Sequence, residues 1–445
     1  MINIFKAYDI RGVYPEEINE EKVYKIARAF ALFLDLEGKK VVVWRDFRES
    51  SPHLIKKIIE WLVDSWVKVI NIWLATTPML YFANGKLNAS WSIILTASHN
   101  PKEFNWMKLC REKAIPLSGD TGIKDIEKLV VENNFWEIKK GSIENNEEIK
   151  KEYIDFIKSF ANFWDKKLKI VIDLANAMWV LEKEVLEELN LEIINLYDKL
   201  DSSFPNHEGN PLDYSTLKDL QKKVLEVWAD LWVAFDWDAD RVGFVDELWQ
   251  IIEPDFIWAI IAREVLKENK NSNILYDLRT SLVVPEIIEK NWGNAIESRV
   301  GHAFIKEIMR EKDAIFASEL SWHYYFKQNF YTESSSLATI YILNLLSNSE
   351  EKISEIVEKL KKYYKIPETN FKVENKKEIL EKIEKKYFSF AGAKISKIDW
   401  LKISFDDWWF SIRASNTENV LRLNLEAKNK ELMEEKLEEI KKEIL

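Results

Sequence analysis

Three aspartates at alternate positions, in the stretch "VAFDWDADRVGF" (233–244), are the residues of this sequence best placed to do chemistry. Asp236, Asp238 and Asp240 follow an apolar run that predicts a buried strand, and Arg241 comes next. Alternating carboxylates recur in loops that bind the hard cations Ca²⁺ and Mg²⁺. Acidic turns that bind no metal are also common. The pattern predicts a metal-binding loop, with a plain acidic turn as the alternative.

A second candidate is "LTASHNP" (95–101), which also follows an apolar run. Ser98 would then lie at the carboxyl end of a strand, where open α/β sheets bind their ligands. A serine next to His99 is a candidate nucleophile. The alternative is a polar turn without a catalytic role.

Two further segments carry groups that suit a phosphorylated sugar. "ASELSWHYYF" (317–326) offers Glu319, Ser321 and His323, which can bind hydroxyl groups. "RASNTEN" (413–419) places a guanidinium beside hydroxyl and amide groups, a combination suited to a phosphate dianion. Taken singly, each segment reads better as an ordinary loop.

The elements that must position these residues repeat along the chain. "KKVVVW" (39–44), "VKVINI" (67–72) and "SIILTASHN" (92–100) alternate with amphipathic helical patterns, as in a parallel α/β layer. The rhythm restarts twice, which predicts three similar α/β domains. A Lys/Glu-rich stretch from about 350 to 385 predicts helix, and alternation over 387–427 followed by a charged helix predicts a small α+β domain.

Composition limits the class of protein. The chain has 445 residues, enough for three or four domains, and a net charge of −11 that argues against a nucleic-acid or anionic-membrane surface. A single cysteine excludes an internal disulfide and favours a reducing compartment. With no signal-like or membrane-spanning run, the sequence predicts a cytoplasmic protein.

Six ordered motifs, "TASHNP", "FNWMK", "DWDADR", "SRVGH", "SELSWH" and "RASNTEN", resemble those of the α-D-phosphohexomutases, and the likeness runs from "KAYDIRG" to "LRLNLEA". The subgroup that the chain most resembles is phosphomannomutase/phosphoglucomutase. The resemblance implies an α/β fold of three similar mixed-sheet, helix-flanked domains and a smaller α+β C-terminal domain around a central cleft. The implied domains are 1–150 with the phosphoserine loop, 151–250 with the metal loop, 251–366 with the sugar loop, and 367–445 with the phosphate loop.

The resemblance also implies a role for each site residue. Ser98 would carry the transferred phosphoryl group and, with Asp236, Asp238 and Asp240, would hold Mg²⁺. Arg241 and Lys108 would lie by that group, with Lys108 as proton shuttle helped by Arg11 and His302. Among the implied substrate-binding residues, Glu319 and Ser321 would bind the sugar hydroxyls, with His323 beside them, and Arg279 matches a position usually held by a basic active-site residue. The phosphate that is not transferred would be held by Arg413, Ser415, Asn416 and Thr417.

The implied reaction interconverts hexose 1-phosphate and hexose 6-phosphate of mannose or glucose through a hexose 1,6-bisphosphate, which also serves as activator. The expected partner is the phosphosugar, with no nucleic acid or membrane, in a monomer or homodimer. Three alternatives stay open: a phosphoglucosamine mutase, a metal-dependent phosphatase with an aspartyl nucleophile, and a non-catalytic sugar-phosphate binder.

The tryptophans are the anomaly of this sequence. Its 11 glycines and 19 tryptophans together nearly match the roughly 31 glycines that a chain of this length usually has. Trp237, which would crowd the metal ligands, stands where the family has glycine. The other positions where the family carries or tolerates glycine are Trp44, Trp73, Trp91, Trp106, Trp179, Trp232, Trp322 and Trp408. The sequence thus predicts UGA codons read as glycine in the source organism but translated as tryptophan, with Trp409 as a genuine aromatic.

Two lesser departures concern loops. Glu333 and the serines 334–336 stand where the family tends to have an acidic residue and glycine, and Asn419 stands where proline usually follows "NTE". We expect neither to touch a catalytic group.

Overall fold

The computed structural model describes residues 4–5, 10–96, 101–117, 122–132, 137–163, 166–210, 213, 227–399, 401–415 and 419–445. The chain forms two compact units. The first comprises Met1–Ile252 and Ser321–Ile353, and the second comprises Glu253–Leu320 and Ser354–Leu445.

The first unit begins with a six-stranded mixed sheet in the order β1-β5-β4-β2-β3-β6. Strands β2, β3, β4 and β6 are parallel, whereas β5 runs antiparallel to β4 and to β1. The strands are β1 (Ile10–Val13), β2 (Lys40–Arg45), β3 (Lys68–Leu74), β4 (Trp91–Thr96), β5 (Phe104–Arg111) and β6 (Ser142–Asn145). The helices are α1 (Glu20–Phe33), α2 (Ser51–Asp64), α3 (Thr77–Lys86), α4 (Ile123–Glu132) and α5 (Glu148–Lys158). Strand β4 is buried at every residue, as expected for a strand covered on both faces.

A second mixed sheet repeats this plan in the order β11-β10-β9-β7-β8. Its parallel core is β8-β7-β9, and β10 and β11 follow antiparallel. The elements are β7 (Leu168–Asp173), α6 (Glu184–Glu187), β8 (Leu191–Leu196), β9 (Leu231–Phe235), β10 (Val242–Val245) and β11 (Ile251–Ile252). The first unit also includes the hairpin β15 (Tyr324–Phe326) and β16 (Thr332–Glu333), followed by the helix α10 (Ser335–Ser347).

The second unit contains two further groups of strands. Its parallel strands β13-β12-β14 repeat the core of the two earlier sheets. They are β12 (Asn273–Asp277), β13 (Asn294–Ser298) and β14 (Phe316–Ser318), with helices α7 (Pro254–Glu268), α8 (Val283–Lys290), α9 (His302–Glu311) and α11 (Ile353–Glu358). The C-terminal sheet is antiparallel and consists of β17 (Tyr364–Lys365), β18 (Thr369–Lys372), β19 (Lys394–Ser396), β20 (Leu401–Ser404), β21 (Trp408–Ala414) and β22 (Val420–Ala427), with α12 (Lys376–Phe388) and α13 (Lys430–Ile444). Short 3-10 turns occupy Glu112–Ala114, Met178–Leu181 and Lys327–Asn329.

The predicted multidomain α/β architecture is confirmed, with one local error. The stretch 350–385 is not one helix, because strands β17 and β18 interrupt it. Phe371 of β18 is buried in the C-terminal core, and β18 pairs with β22. Sheet pairing and burial therefore override the helical propensity of the flanking Lys and Glu residues. Among the described residues, no helix is both long and apolar enough to cross a membrane.

Candidate active site

The three aspartates lie in the tight connection between β9 and β10. Phe235 pairs with Val242 across the two antiparallel strands, so the intervening residues form a short loop at the carboxyl end of β9. Both strands are buried throughout, which fixes the loop on a rigid base. Asp236, Asp238 and Asp240 are 0%, 0% and 2% exposed, and one ligand oxygen from each lies within 4.8 Å of the others.

The hydrogen bonds of these carboxylates leave one oxygen of each without a donor. Thr77 Oγ1 donates to Asp238 Oδ2 at 2.8 Å, and the amide of Arg241 donates to Asp236 Oδ1 at 3.1 Å. Asp236 Oδ2, Asp238 Oδ1 and Asp240 Oδ1 are buried and have no hydrogen-bond partner among the described residues. Buried carboxylate oxygens require compensation by a cation or a donor. The residues present therefore fit a hard divalent cation, which oxygen ligands favour.

Lys108 on β5 pairs its ammonium group with two of these carboxylates. Its Nζ lies 3.3 Å from Asp238 Oδ2 and 3.3 Å from Asp240 Oδ2, which are not the oxygens that lack a donor. Burial alone would lower the pKa of Lys108, but the charges of Asp238 and Asp240 raise it above its ordinary value. The ammonium group thus stays charged beside the aspartates.

The carboxylates do not titrate alike. Burial, and then the charges of Asp240 and Asp238, raise the pKa of Asp236 well above its ordinary value. Burial acts in the same direction on Asp240, but Lys108, His323 and Arg241 together outweigh it and hold the pKa of Asp240 well below its ordinary value. The loop concentrates more negative charge than Lys108 alone neutralises.

Arg241, Ser321 and His323 meet at the edge of this cluster, a contact that the sequence did not predict. Arg241 Nε donates to His323 Nε2 at 3.2 Å, and Ser321 Oγ lies 2.9 Å from His323 Nδ1. His323 Nε2 is also 3.4 Å from Asp240 Oδ1. A backbone bridge between Arg241 and His323 fixes the two segments to each other.

Glu333 corrects an expectation. We expected it to touch no catalytic group, yet Glu333 forms a second possible metal-binding group with Asp240 and His323, whose ligand atoms lie within 4.8 Å of one another. The serines after it are also involved, because Ser335 Oγ donates to the carbonyl oxygen of Ala239, inside the metal loop, at 2.7 Å. Sequence reasoning missed this contact because 96 residues separate the two positions.

Arg11 and Lys108 face a common tryptophan. Arg11 pairs with Trp106 across β1 and β5, and its Cζ lies 5.4 Å from the centroid of the Trp106 ring. Lys108 Nζ lies 5.6 Å from that centroid. The two predicted catalytic cations are thus on the first sheet, with an indole beside both.

The second unit holds the remaining described candidates. Arg279 binds Asp277 at 2.7 Å between Nη2 and Oδ2, and this charge raises its pKa although burial opposes the shift. Glu319 Oε1 accepts the amide of Gly301 at 2.9 Å, beside His302. This hydrogen bond brings the segment that carries His302 beside the one that carries Glu319.

Arg413 and Ser415 end strand β21. The amide of Ser415 donates to the carbonyl oxygen of Val420 at 3.0 Å, and its own carbonyl oxygen accepts Lys376 Nζ at 2.7 Å. Arg413 stands directly opposite Arg422 in the antiparallel register. Lys376 is a further cation at this turn that the motif did not include. Ser98, Asn416 and Thr417 lie outside the described residues.

Arg48 is another residue that sequence reasoning missed. It is 2% exposed, and its Nη1 donates to the carbonyl oxygen of Pro101 at 2.8 Å, immediately after the segment that contains Ser98. Its Nε donates to Asp46 Oδ2 at 3.2 Å. A charged pair directly after the buried strand β2, in "VVVWRDFRES", was the available signal.

Trp237 does not crowd the metal ligands as expected. Its ring stacks on Phe204 at 4.1 Å and packs with Phe47, Ala175 and Ala177, so the carboxylates still converge. Its buried indole N–H has no hydrogen-bond partner among the described residues, and the same holds for Trp44, Trp106 and Trp232. By contrast, Trp409 Nε1 donates to Glu426 Oε2 at 2.9 Å, and Trp179 Nε1 donates to Ser336 Oγ at 3.1 Å.

Six tryptophans have the left-handed backbone conformation that favours glycine. Their φ values lie between 50° and 69° at Trp66, Trp73, Trp228, Trp249, Trp292 and Trp322. Only Trp73 and Trp322 were singled out from the sequence. Trp66 and Trp292 directly follow the C-caps of α2 and α8, where a left-handed glycine commonly ends a helix. These left-handed conformations support the hypothesis that the codons at such positions encode glycine, which stays a prediction.

Comparisons with known proteins agree with the site. Family models of the phosphoglucomutase/phosphomannomutase α/β/α domains I, II and III match residues 3–136, 151–249 and 253–364, and the C-terminal domain model matches 368–443. This chain belongs to the phosphoglucomutase/phosphomannomutase family. It is therefore a phosphohexomutase, an isomerase.

Individual relatives cover nearly the whole of this phosphohexomutase. The phosphomannomutase of Methanocaldococcus jannaschii is 41% identical over 98% of this chain and 96% of its own length. The phosphomannomutase/phosphoglucomutase of Pseudomonas syringae pv. tomato is 34% identical over 97% of this chain and 92% of its own length. A solved phosphoglucomutase/phosphomannomutase family protein from Burkholderia thailandensis has a TM-score of 0.90 at 29% identity, covering 100% of this chain and 97% of that one.

Proposed function

We propose that the enzyme interconverts hexose 1-phosphate and hexose 6-phosphate, with mannose or glucose as the sugar, through a phosphoserine at Ser98 and a hexose 1,6-bisphosphate. The observation that carries this proposal is the carboxylate cluster. Each of three buried aspartates has one oxygen that accepts no hydrogen bond from the described residues, and Lys108 pairs with the other oxygens of Asp238 and Asp240. Phosphoryl transfer needs mainly positioning and neutralisation of charge, and this cluster is built for both.

Asp236, Asp238 and Asp240, with the phosphate on Ser98, would hold Mg²⁺. The bound ion would neutralise charge on the transferring phosphoryl group. Mg²⁺ held by Asp238 and Asp240 would offset the charges that raise the pKa of Lys108, and Lys108 would then shuttle the proton of the sugar hydroxyl. Arg241, fixed through His323, would add positive charge beside the same group. Arg11, next to Lys108 at the Trp106 ring, and His302 would assist.

Glu319, Ser321, His323 and Arg279 would bind the sugar. Arg413, Ser415, Asn416 and Thr417 would hold the phosphate that is not transferred. The register supports this grip, because Arg413 stands directly opposite Arg422 and two guanidinium groups therefore lie at this turn, where Arg422 also pairs with Glu368 Oε1 at 3.7 Å. Lys376 at the Ser415 carbonyl adds a third cation.

The domain limits 1–150, 151–250, 251–366 and 367–445 belong to the same proposal. So do a cytoplasmic location, action on a phosphosugar as a monomer or homodimer, and activation by hexose 1,6-bisphosphate. The single cysteine supports the cytoplasmic location.

The test is a mutase assay with mannose 1-phosphate, Mg²⁺ and a trace of sugar bisphosphate, on the chain as written and on a form with glycine at the suspect tryptophans. We expect mannose 6-phosphate to form and Ser98→Ala to abolish turnover. Mass spectrometry should detect phosphate on Ser98. Exclusive turnover of glucosamine phosphates would instead favour a phosphoglucosamine mutase. Phosphate on an aspartate, with Ser98→Ala active, would overturn the proposed intermediate.

A further inference from the structure

Glu182 is a buried carboxylate that no motif includes. It is fully buried and follows the 3-10 turn Met178–Leu181 in the second sheet's domain. Three hydroxyl groups donate to it: Thr76 Oγ1 to Oε1, and both Tyr153 OH, at 3.1 Å, and Ser336 Oγ to Oε2. These donors come from three separate segments, at α3, α5 and α10.

Two of these donors stand next to residues that bind the metal loop. Thr76 is the N-cap of α3, and Thr77, the next residue, donates its amide to the Asp238 carbonyl oxygen at 3.0 Å and its hydroxyl to Asp238 Oδ2 at 2.8 Å. Ser336 follows Ser335, whose hydroxyl donates to the Ala239 carbonyl oxygen at 2.7 Å. The first turns of α3 and α10 therefore meet both at Glu182 and at the metal loop.

The loop needs such support because it is strained. Ala239 lies between two of the ligands and has a φ of 65°, a left-handed conformation that costs an alanine about 1 kcal/mol or more. A strained residue keeps its geometry only where surrounding contacts fix it. Thr77 supplies such contacts at Asp238, the residue before Ala239, and Ser335 supplies one at the carbonyl oxygen of Ala239 itself.

A carboxylate suits the junction between the two helices. It has only acceptor sites when ionised, so each of its oxygens can hold hydroxyl donors from different elements at once. Thr76 shows why this matters: its hydroxyl oxygen accepts the Met79 amide at 3.2 Å while its proton goes to Glu182. The side chain that caps α3 is thereby locked in one orientation.

We propose that Glu182 is a positioning residue for the metal site, which couples the first turns of α3 and α10 so that Thr77 and Ser335 hold Asp238 and Ala239 in the cation-binding geometry. This inference rests on the metal site of the proposed function. It adds that cation affinity depends on a carboxylate that contacts neither the cation nor the substrate. A merely structural role would change stability and leave cation affinity untouched.

The test compares Glu182→Gln with the unaltered full-length chain. Binding of Mn²⁺, measured by electron paramagnetic resonance without substrate, and the half-saturating Mg²⁺ of mutase turnover are the two readouts. We expect both constants to rise about tenfold, as is typical when a group that supports a metal ligand is changed. The KM for hexose phosphate at saturating Mg²⁺ should change less than about twofold.

Ile58→Ala is the matched control, because Ile58 is a buried core residue of α2 that does not contribute to this network. It should lower the melting temperature and leave the Mn²⁺ constant unchanged. Should Glu182→Gln fail to fold, Ser336→Ala removes one donor and is expected to raise the Mn²⁺ constant by a smaller factor, about threefold.

The outcomes separate the two proposals. A folded Glu182→Gln with unaltered Mn²⁺ affinity would overturn the positioning role, as would an unaltered affinity in Ser336→Ala. An unaltered chain that binds no Mn²⁺ would overturn both the metal site and this inference. An unaltered chain that binds Mn²⁺ but turns over no hexose phosphate would overturn the proposed function alone, while weaker Mn²⁺ binding by Glu182→Gln would still support the positioning role.

Discussion

Thr77 donates twice to Asp238, through its amide to the backbone carbonyl at 3.0 Å and through its hydroxyl to Oδ2 at 2.8 Å. Thr77 belongs to the first turn of α3 in the first sheet's domain, and Asp238 lies at the centre of the loop after β9. The contact fixes the central metal ligand to the domain that carries Lys108. The Lys108 Nζ pairs with the same Oδ2 at 3.3 Å.

Removing the Thr77 hydroxyl should weaken cation binding. A hydrogen bond to a charged group contributes about 1.5 to 3 kcal/mol, or roughly 10- to 100-fold in an equilibrium constant. We expect Thr77→Val to raise the half-saturating Mg²⁺ of turnover within that range. Thr77→Ser keeps the hydroxyl, and its half-saturating Mg²⁺ should stay within about threefold of the value for the unaltered enzyme. Equal half-saturating Mg²⁺ in Thr77→Val and Thr77→Ser would show that the hydroxyl does not support cation binding.

Replacing Asp238 should remove the metal site itself. Asp238→Asn keeps the size of the side chain but takes away one of three buried negative charges, so we expect turnover to fall by at least about 100-fold at any Mg²⁺ concentration. Mn²⁺ titration provides the direct measurement. The control is Asp230→Asn, since Asp230 accepts the Lys169 amide at the opposite end of β7, and this variant should bind Mn²⁺ normally.

Stability should depend on pH through Glu182. Burial raises the pKa of Glu182 from 4.5 to about 7, so the folded chain binds a proton more tightly than the unfolded chain does. This tighter proton binding stabilises the folded chain. The stabilisation is present below pH 4.5 and is lost as pH rises through about 7, by an amount on the order of 3 kcal/mol. Tyr153 is a titratable group in contact with Glu182, and burial raises its pKa far above this window.

Urea unfolding between pH 5 and 8 measures this effect. The difference in unfolding free energy between the unaltered chain and Glu182→Gln should shrink or reverse as pH increases across that range. A difference that stays constant with pH would show that Glu182 does not titrate there.

Glycine should stabilise the chain at Trp292. This residue follows the C-cap of α8 with a φ of 64° and is 69% exposed, so Trp292→Gly relieves a left-handed conformation and gives up little packing. We expect the free energy of unfolding to rise by about 1 kcal/mol. Trp409→Gly is the opposite case and should destabilise by several kcal/mol, because Trp409 is fully buried and bonded to Glu426.

The gene should record the same distinction. We expect UGA codons at the six left-handed tryptophans and at the suspect residues Trp44, Trp106, Trp232 and Trp237, and UGG at Trp409. The buried indole N–H groups of those four suspect residues, like those of Trp61 and Trp258, have no hydrogen-bond partner among the described residues. Sequencing the gene decides this directly. Identical codons at Trp292 and Trp409 would end the hypothesis, as would full mutase activity in the chain as written.

Local sequence patterns predicted most of the strands and the residues of the metal loop. Alternating and apolar runs predicted β2, β3, β4, β9 and the C-terminal strands, because burial of one or both faces of a strand leaves a local pattern. The aspartates of the metal loop are also local, since a single turn after β9 carries all three. Strands β17 and β18 were missed because their partner, β22, lies some fifty residues further along the chain.

The side chains that support the metal loop were identified only from tertiary contacts. Thr77 and Asp238 are 161 residues apart in the chain, and Ser336 and Glu182 are 154 apart. "VLEKEV" (180–185) reads as an ordinary amphipathic helix, and nothing in it distinguishes Glu182 from its neighbour Glu184. The physical reason is that a buried polar group is defined by its partners, and those partners come from wherever the packing of other elements places them.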